Sequence, residues 1–214
     1  DPDLDTTEKL IEVIADSGAD LIELGIPFSD PTAEGPVIQN ANMRALAGKV
    51  TTDKIFDMVY RVRKTVKIPM VFMTYANVVF SYGTDRFIKR ASKVGMSGLI
   101  LPDVPFEEKE DFAPLCRRYG IELISLIAPT SNQRISMIAK EAAGFVYCVS
   151  SLGVTGVRNE ISSDNIQNMI KLVRESTNIP TAVGFGISNA NQAAEMAKIA
   201  DGIIVGSAIV KIIE

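Results

Sequence analysis

The sequence predicts a (β/α)8 barrel, the TIM-barrel architecture, and three observations support this fold class. Short apolar runs alternate with helical patterns about seven times along the 214 residues. The runs are unbroken and bounded by Gly and Pro, which is typical of parallel strands buried on both faces. The last two runs end in glycine-rich turns, which favours the barrel over an open, seven-stranded doubly wound sheet.

Seven of the barrel strands can be placed on the sequence as short apolar runs. They cover residues 20–27, 68–76, 97–105, 121–129, 144–151, 179–186 and 201–207. The chain opens on DPDLDTTEKL, where Asp5 and Glu8 have the spacing of a helix capping box. The chain is therefore expected to begin with a helix, and the strand that is missing would be the first.

The predicted helices between these strands are amphipathic, and several end in glycine. Residues 51–66 place five apolar side chains on one helical face: Ile55, Met58, Val59, Val62 and Val66. Glycine stands between helix and strand in DSGADLIEL, KVGMSGLIL and RYGIELISL, where it is expected to act as a C-cap. No linker or low-complexity run interrupts the pattern. Residues 1–214 are therefore predicted to form a single barrel domain, truncated at both ends.

The composition limits the chemistry that the protein can perform. The chain contains no histidine, which excludes Ser-His-Asp and Cys-His catalysis and metal sites built on imidazole. Acid–base chemistry must then fall to carboxylates, lysine, tyrosine or cysteine. The net charge of −4 argues against a nucleic-acid partner held through its phosphates.

The two cysteines and the absence of a targeting signal predict a cytoplasmic protein. Cys116 and Cys148 lie far apart in apolar segments, which indicates buried free thiols in a reducing compartment. The sequence has no signal peptide and no apolar run of about 18 residues, so nothing indicates secretion or membrane insertion.

The first strand carries an acid inside an apolar run. In LIELGIP, Ile22, Leu24 and Ile26 share one uniformly apolar face, which suits contact with helices. Glu23 lies on the other face and is predicted to point into the barrel near its catalytic end. A Glu that loses water there has a raised pKa, which suits general acid–base catalysis near neutrality. The alternative is a structural Glu paired with Lys or Arg.

A second acid, Glu34, follows on the loop PFSDPTAEGP, residues 27–36. Three prolines stiffen this loop. Taken by itself, the loop predicts a solvated acid without a catalytic role.

Glycines at the ends of the last two strands predict a phosphate site. The strand at 179–186 leads into GFGIS, and the strand at 201–207 leads into GSAIVKII. Glycine lets a phosphate approach the N–H groups at a helix start, and these two loops are the usual phosphate cradle of the fold. Plain tight turns are the alternative. The loop SLGVTGVRNE, 151–160, is predicted to be either a mobile flap with a further phosphate contact at Gly156 or a flexible surface loop.

The remaining polar residues at strand ends have structural roles as their simplest interpretation. Tyr147 is expected to pack in the core, and Asp103, in LPDVP, is expected to cap a helix. The lysines fall in helices or polar stretches, which disfavours Schiff-base catalysis. The carboxylates show no clustered spacing for a metal, and no dinucleotide fingerprint is present.

One segment, LIELGIPFSDPTAEGPVIQNANMRAL, resembles the signature of the tryptophan synthase α subunit family, and the resemblance covers nearly the whole chain. Further matching segments are TYANVVFSYG, LPDVPFEE, VYCVSSLGVTGVR, VGFGIS and GSAIVKIIE. The resemblance implies the family's reaction in tryptophan biosynthesis. That reaction is the retro-aldol cleavage of indole-3-glycerol phosphate to indole and glyceraldehyde 3-phosphate.

The resemblance also implies roles for individual residues. Glu23 would be the general acid/base that moves protons to the indole ring carbon and from the glycerol hydroxyl. Glu34 would hold the indole N–H and stabilise positive charge on the ring. Tyr147 would line the site beside Glu23, and Thr155 would close the flap onto Glu34. The phosphate would be held by Gly156, Phe185, Gly186, Gly206 and Ser207.

A partner is implied in the same way, the pyridoxal-phosphate β subunit in an αββα heterotetramer. The loops that carry Pro31 and Asn77 would face it, and indole would pass through a tunnel. The pyridoxal phosphate would belong to the partner, so neither a cofactor nor a metal is expected in this chain.

Two departures from the family pattern keep alternatives open. The family's loop acid is Asp, whereas this chain has Glu34, whose extra methylene moves the carboxylate by roughly 1 Å and can cost about 10²-fold in rate. The family also has a strand before DPD and a helix after KIIE. The first alternative is a catalytically weakened subunit that mainly activates the β subunit. The second is another phosphosugar-binding barrel enzyme, such as an isomerase or epimerase.

Overall fold

The computed structural model describes residues 1–149, 163–184 and 186–214. These residues fall into two compact units, each with one four-stranded parallel sheet. The first unit comprises Asp1–Pro31 and Gln39–Leu123, and the second comprises Thr32–Ile38 and Ile124–Glu214.

The first unit is built from alternating helices and strands. In chain order its elements are α1 (Leu4–Asp16), β1 (Ile22–Gly25), α2 (Pro36–Ala47), α3 (Thr52–Val62), β2 (Met70–Met73), α4 (Ala76–Tyr82), α5 (Thr84–Lys93), β3 (Gly98–Ile100), the 3-10 helix η1 (Phe106–Asp111), α6 (Ala113–Tyr119) and β4 (Glu122–Leu123). The first turn of α2 belongs to the second unit. The strand order is β1-β2-β3-β4, and the register sets Glu23 of β1 opposite Val71 of β2.

The second unit repeats the same alternation. Its further elements are β5 (Ser125–Ile127), α7 (Asn132–Lys140), β6 (Val146–Val149), α8 (Ser163–Ser176), β7 (Thr181–Gly184), α9 (Ala190–Met196), β8 (Gly202–Ile203) and α10 (Ser207–Ile213). The strand order is β5-β6-β7-β8, and Tyr147 of β6 stands opposite Ala182 of β7.

All seven predicted strands are present, and one of them is divided. The run at 121–129 forms the two short strands β4 and β5, with Ile124 between them at the start of the second unit. The predicted α/β architecture with parallel strands is therefore confirmed. The organisation of 1–214 as a single domain stays a prediction.

The core of the first unit confirms the predicted helical face of α3. Ile55, Met58, Val59 and Val62 are each at most 3% exposed, and Val66 is buried just beyond the end of the helix. Phe56 of the same helix forms a cluster of fully buried rings with Phe72 and Phe87, whose centroids are 5.3–6.0 Å apart.

The helix ends agree with the sequence at the glycines but differ at the first helix. Gly18, Gly95 and Gly120 all have positive φ, as the predicted C-caps require. The predicted capping box at Asp5 is wrong, because Leu4 is already helical. Asp3 caps α1 instead, and its carboxylate accepts a hydrogen bond from the N–H of Thr6 at 2.8 Å.

Both cysteines are free and buried, as predicted. Cys116 is 1% exposed on α6, and Cys148 is fully buried on β6. Burial raises the pKa of each thiol to about 12, because the thiolate would lose its hydration. Neither thiol is therefore a ready nucleophile near neutral pH.

The helices in the described ranges are short, and α8 is the longest with 14 residues. None of them has the length and apolar character that a membrane-spanning helix needs.

Asp201 joins the beginnings of β7 and β8. Its carboxylate accepts hydrogen bonds from the N–H of Thr181 at 2.8 Å and from the hydroxyl of Thr181 at 2.9 Å. The guanidinium of Arg174 donates a further bond at 2.9 Å. The Thr181 N–H is the main reason that the pKa of Asp201 lies below its ordinary value of 3.8. This end of the strands is the one that serves stability in barrel folds.

Replacing Asp201 by Asn is expected to destabilise the protein by about 1–2 kcal/mol, because fully buried Thr181 loses a charged acceptor. Solvent screens the ion pair to Arg174, whose side chain is 49% exposed, so that contact adds little. The stabilisation by Asp201 should be complete above about pH 4 and lost as the pH falls through its lowered, folded-state pKa. Urea unfolding at neutral pH and near pH 3 measures both effects.

The matched control is Glu195→Gln, which breaks an exposed ion pair to Lys198 within α9 and its following turn. This change should cost almost nothing. Equal unfolding midpoints for the two variants at neutral pH would contradict the role of Asp201.

Candidate active site

Glu23 occupies the middle of β1, and the predicted alternation is confirmed. Ile22, Leu24 and Ile26 are 4–9% exposed on the helix-facing side of the strand. Glu23 is half-buried, and Gly25 on the same side is exposed. Glu23 is therefore held on a paired strand with part of its side chain accessible to solvent.

The loops that follow β1, β2 and β3 contact one another in the first unit. The ring of Phe28, beyond β1, stacks on the ring of Tyr75, beyond β2, with 5.2 Å between centroids and 30° between planes. Asp103, beyond β3, accepts hydrogen bonds from the N–H of Ala76 through both carboxylate oxygens, each at 3.1 Å. Asp103 thus caps a helix, as predicted. The capped helix is α4, which follows β2, the strand before the one that leads into Asp103.

Glu34 is buried, and its predicted solvation is wrong. The side chain is only 8% exposed, and Gly35 beside it is also buried. The reason is that the loop runs directly into α2 at Pro36, and its segment Thr32–Ile38 belongs to the second unit instead of extending into solvent. A carboxylate is costly to bury without compensation, so a buried Glu34 requires compensating interactions, and it does have interaction partners.

Tyr147 lies directly against the backbone of Gly184. A Cβ atom built on Gly184 would stand 2.5 Å from the Tyr147 ring carbon Cε1 and 2.6 Å from its hydroxyl. Tyr147 is 6% exposed on β6, and Gly184 ends the neighbouring strand β7. Gly184 is the first residue of the GFG motif, but the sequence carries no local signal of its contact with Tyr147.

The two glycine-rich strand ends differ in how their helix starts are satisfied. Gly186, with φ of 81°, follows β7. The next helix, α9, is capped by Asn189, which accepts from the N–H of Gln192 at 3.0 Å. The side chain of Gln192 accepts in turn from the N–H and hydroxyl of Ser188. Part of this helix terminus is therefore already hydrogen-bonded within the protein.

The start of α10 differs from that of α9, because its N-cap residue is a glycine. Gly206 is the N-cap and has no side chain with which to cap this terminus, and Ser207 is the first helical residue. A Cβ atom on Gly206 would meet no other atom within 4 Å, so there is room beside the backbone. N–H groups at a helix start with this room beside it can bind an anion.

Five further predicted residues, of the flap, the phosphate site and the partner-facing loops, remain to be placed. Thr155, Gly156 and Phe185 lie outside the described residues. Pro31 and Asn77 belong to the first unit, where Asn77 is exposed and lines a cavity of about 380 Å³ beside Phe28 and α4.

The predicted site residues are divided between the two units. Glu23 belongs to the first unit, and the second contains Glu34, Tyr147, Gly186, Gly206 and Ser207. Glu34 is close to Glu23 in the sequence, yet its segment Thr32–Ile38 belongs to the same compact unit as Ile124–Glu214. Only the structure reveals this division.

Comparison with known proteins assigns the chain to a family. The family model described as tryptophan synthase alpha chain matches residues 1–214. The tryptophan synthase alpha chain of Lacticaseibacillus casei is 50% identical over 213 residues, which are 100% of this chain and 80% of that protein. The corresponding chain of Geobacter sulfurreducens is 48% identical over 215 residues, covering 100% of this chain and 81% of that protein.

Solved structures agree with this assignment. Tryptophan synthase subunit alpha from Campylobacter jejuni superposes with a TM-score of 0.89 at 39% identity, covering 98% of this chain and 84% of that chain. Mycobacterium tuberculosis tryptophan synthase gives a TM-score of 0.90 at 34% identity, covering 98% and 80%. These neighbours are TIM barrels, which confirms the predicted fold. The chain belongs to the tryptophan synthase alpha chain family.

Proposed function

We propose that Glu23 and Glu34 are the two carboxylates with which this chain cleaves indole-3-glycerol phosphate. The family's reaction is a lyase reaction of tryptophan biosynthesis and yields indole and glyceraldehyde 3-phosphate. The observation that carries the residue assignment is the burial of Glu34 on a loop whose sequence alone predicts a solvated acid.

The cleavage needs one proton delivered and one removed. A proton is added to the indole ring carbon that bears the glycerol chain, and a proton leaves the adjacent glycerol hydroxyl. The carbon–carbon bond then breaks, its electrons return to the ring, and the hydroxyl becomes the aldehyde of glyceraldehyde 3-phosphate. Glu23 serves as the acid and base for these transfers, because it is a half-buried carboxylate with partial access for substrate.

Glu34 binds the indole N–H and stabilises the positive charge that develops on the protonated ring. A carboxylate in a site with little water acts more strongly on such a charge than an exposed one. The 8% exposure of Glu34 supports this electrostatic role.

The second unit also supplies the proposed substrate-binding residues. Tyr147 lines the site, and the phosphate lies at Gly186, Gly206 and Ser207, where the open start of α10 supports anion binding. By resemblance, Gly156 and Phe185 complete the phosphate cradle and Thr155 closes onto Glu34.

The proposed partner is the β subunit of tryptophan synthase, in an αββα heterotetramer in the cytoplasm. The loops that carry Pro31 and Asn77 face this partner, which would also hold the pyridoxal phosphate. The exposure of Asn77 at the start of α4 is consistent with this placement.

A catalytically weakened subunit that mainly activates the partner is the remaining alternative. It rests on one observation, that Glu34 stands where the family has Asp. The family assignment itself speaks against an unrelated isomerase or epimerase.

Replacing Glu23 by Gln is expected to lower kcat for indole release by about 10²–10⁴-fold, because the amide cannot move protons. Binding of an indole-propanol phosphate analogue should stay within about threefold, since proton transfer is not needed for affinity. Glu122→Gln, at an exposed Glu on β4, is the matched control and should keep the wild-type rate. Indole release by Glu23→Gln at the wild-type rate would contradict the role of Glu23 as the general acid and base.

Replacing Glu34 by Asp separates the lyase from the activator alternative. If the buried surroundings are fitted to Glu, shortening the side chain should lower kcat/KM by about 10²-fold through displacement of the carboxylate by roughly 1 Å. A rise in kcat/KM would instead support the weakened subunit. The measurement is cleavage by the protein without its partner, with Glu108→Asp, an exposed acid of η1, as control.

Replacing Gly184 by Ala is expected to destabilise the protein by about 1–3 kcal/mol and to lower kcat/KM, because the new methyl overlaps the Tyr147 ring. Gly202→Ala, also in a strand of the second unit, is the control, since its Cβ would be 3.5 Å from the nearest atom, Cβ of Ala182. Thermal unfolding and cleavage assays should separate the two variants. Identical behaviour would show that Tyr147 moves aside freely.

A further inference from the structure

We propose that Asp103 is a positioning residue for the cleavage reaction. Its carboxylate fixes the start of α4 and, through the ring of Tyr75, the loop that follows the strand of Glu23. The inference rests on the proposed catalytic role of Glu23.

The first of these interactions is a hydrogen bond from a backbone N–H to the Asp103 carboxylate. Both oxygens of Asp103 lie 3.1 Å from the nitrogen of Ala76, the first residue of α4. The acid comes from the loop after β3, 27 residues further along the sequence, so the bond joins two different loops. A charged acceptor at a helix start gains from both the hydrogen bond and the helix dipole.

The second contact passes from α4 to the loop beyond β1. Tyr75, which immediately precedes Ala76, is 3% exposed and stacks on Phe28 at 5.2 Å. The backbone follows the same path, since the N–H of Ile26 donates to the carbonyl of Met73 at 2.9 Å. The segment after β2 therefore supports the segment after β1.

These contacts bear on the reaction because Glu23 and Phe28 belong to one strand and its exit loop. Displacement of a reacting group by about 1 Å can cost about 10²-fold in rate, even when the mutation is remote. Asp103 itself is exposed, so its carboxylate contributes through the bond to Ala76 and not through core packing. The proposed phosphate contacts belong to the second unit, so substrate affinity should change little.

The kinetic test compares the removal of two capping carboxylates, Asp103 at the start of α4 and Asp3 at the start of α1. Asp103→Ala should lower kcat about tenfold with KM within about twofold, and Asp103→Asn, which keeps an acceptor oxygen, should restore most of the rate. The matched control is Asp3→Ala, which removes the cap of α1. It should lower the unfolding temperature comparably and leave kcat unchanged. Equal kcat for Asp103→Ala and Asp3→Ala, or a loss confined to KM, would overturn the proposal.

A second readout follows the loop without relying on catalysis. The chain contains no tryptophan, so Phe28→Trp introduces a single indole as a fluorescent reporter at the stacked position. Adding Asp103→Ala should shift its emission to longer wavelength, whereas adding Asp3→Ala should not. Adding Asp103→Asn, which keeps an acceptor oxygen, should leave the emission close to that of Phe28→Trp alone. Should the alanine variant not fold, Asp103→Leu, which also removes the acceptor at this exposed position, takes its place.

The two readouts distinguish the failure of this inference from the failure of the proposed function. If the wild type is active and Asp103→Ala changes neither the reporter emission nor kcat, only the positioning role is overturned. A wild type that releases no indole would overturn the proposed function and, with it, the role of Asp103 in catalysis.

Discussion

Parallel pairing of neighbouring strands is the constraint on which the candidate site depends. Every strand pair in the two sheets is parallel, so the carboxyl ends within each sheet lie along one edge and the following loops meet there. In the first unit this alignment brings Phe28 to Tyr75 and Asp103 to the start of α4. In the second unit it sets the Tyr147 ring over Gly184. The chemistry is therefore assembled by strand register, from residues far apart in the sequence.

Much of the fold could be predicted, because strands buried on both faces and amphipathic helices leave strong patterns. The apolar runs predict each strand within the described ranges, and glycine predicts the ends of α1, α5 and α6, where its φ is positive. The break at Ile124 could not be predicted, since the apolar pattern continues through it. The sequence does not distinguish Asp3 from Asp5 as the cap of α1, because the two side chains are chemically equivalent and only the position of the first helical residue decides between them.

Only those parts of the site that leave a local sequence pattern could be predicted. Alternation along one strand identifies Glu23, but the segment of Glu34 belongs to a compact unit whose other residues, Ile124–Glu214, come much later in the chain. The contact between Tyr147 and Gly184 joins two strands and leaves no local signal. By contrast, the self-capped start of α9 could have been predicted, since Asn189 is followed three residues later by Gln192.

The burial of the two cysteines has a practical consequence for chemical labelling. Maleimides and similar reagents attack the thiolate, and Cys116 and Cys148 are both inaccessible and held in the thiol form by a pKa of about 12. A cysteine introduced on an exposed loop would react far faster than either native thiol. Dyes or spin labels could thus be attached at a single chosen site while the packing around both native side chains stays intact.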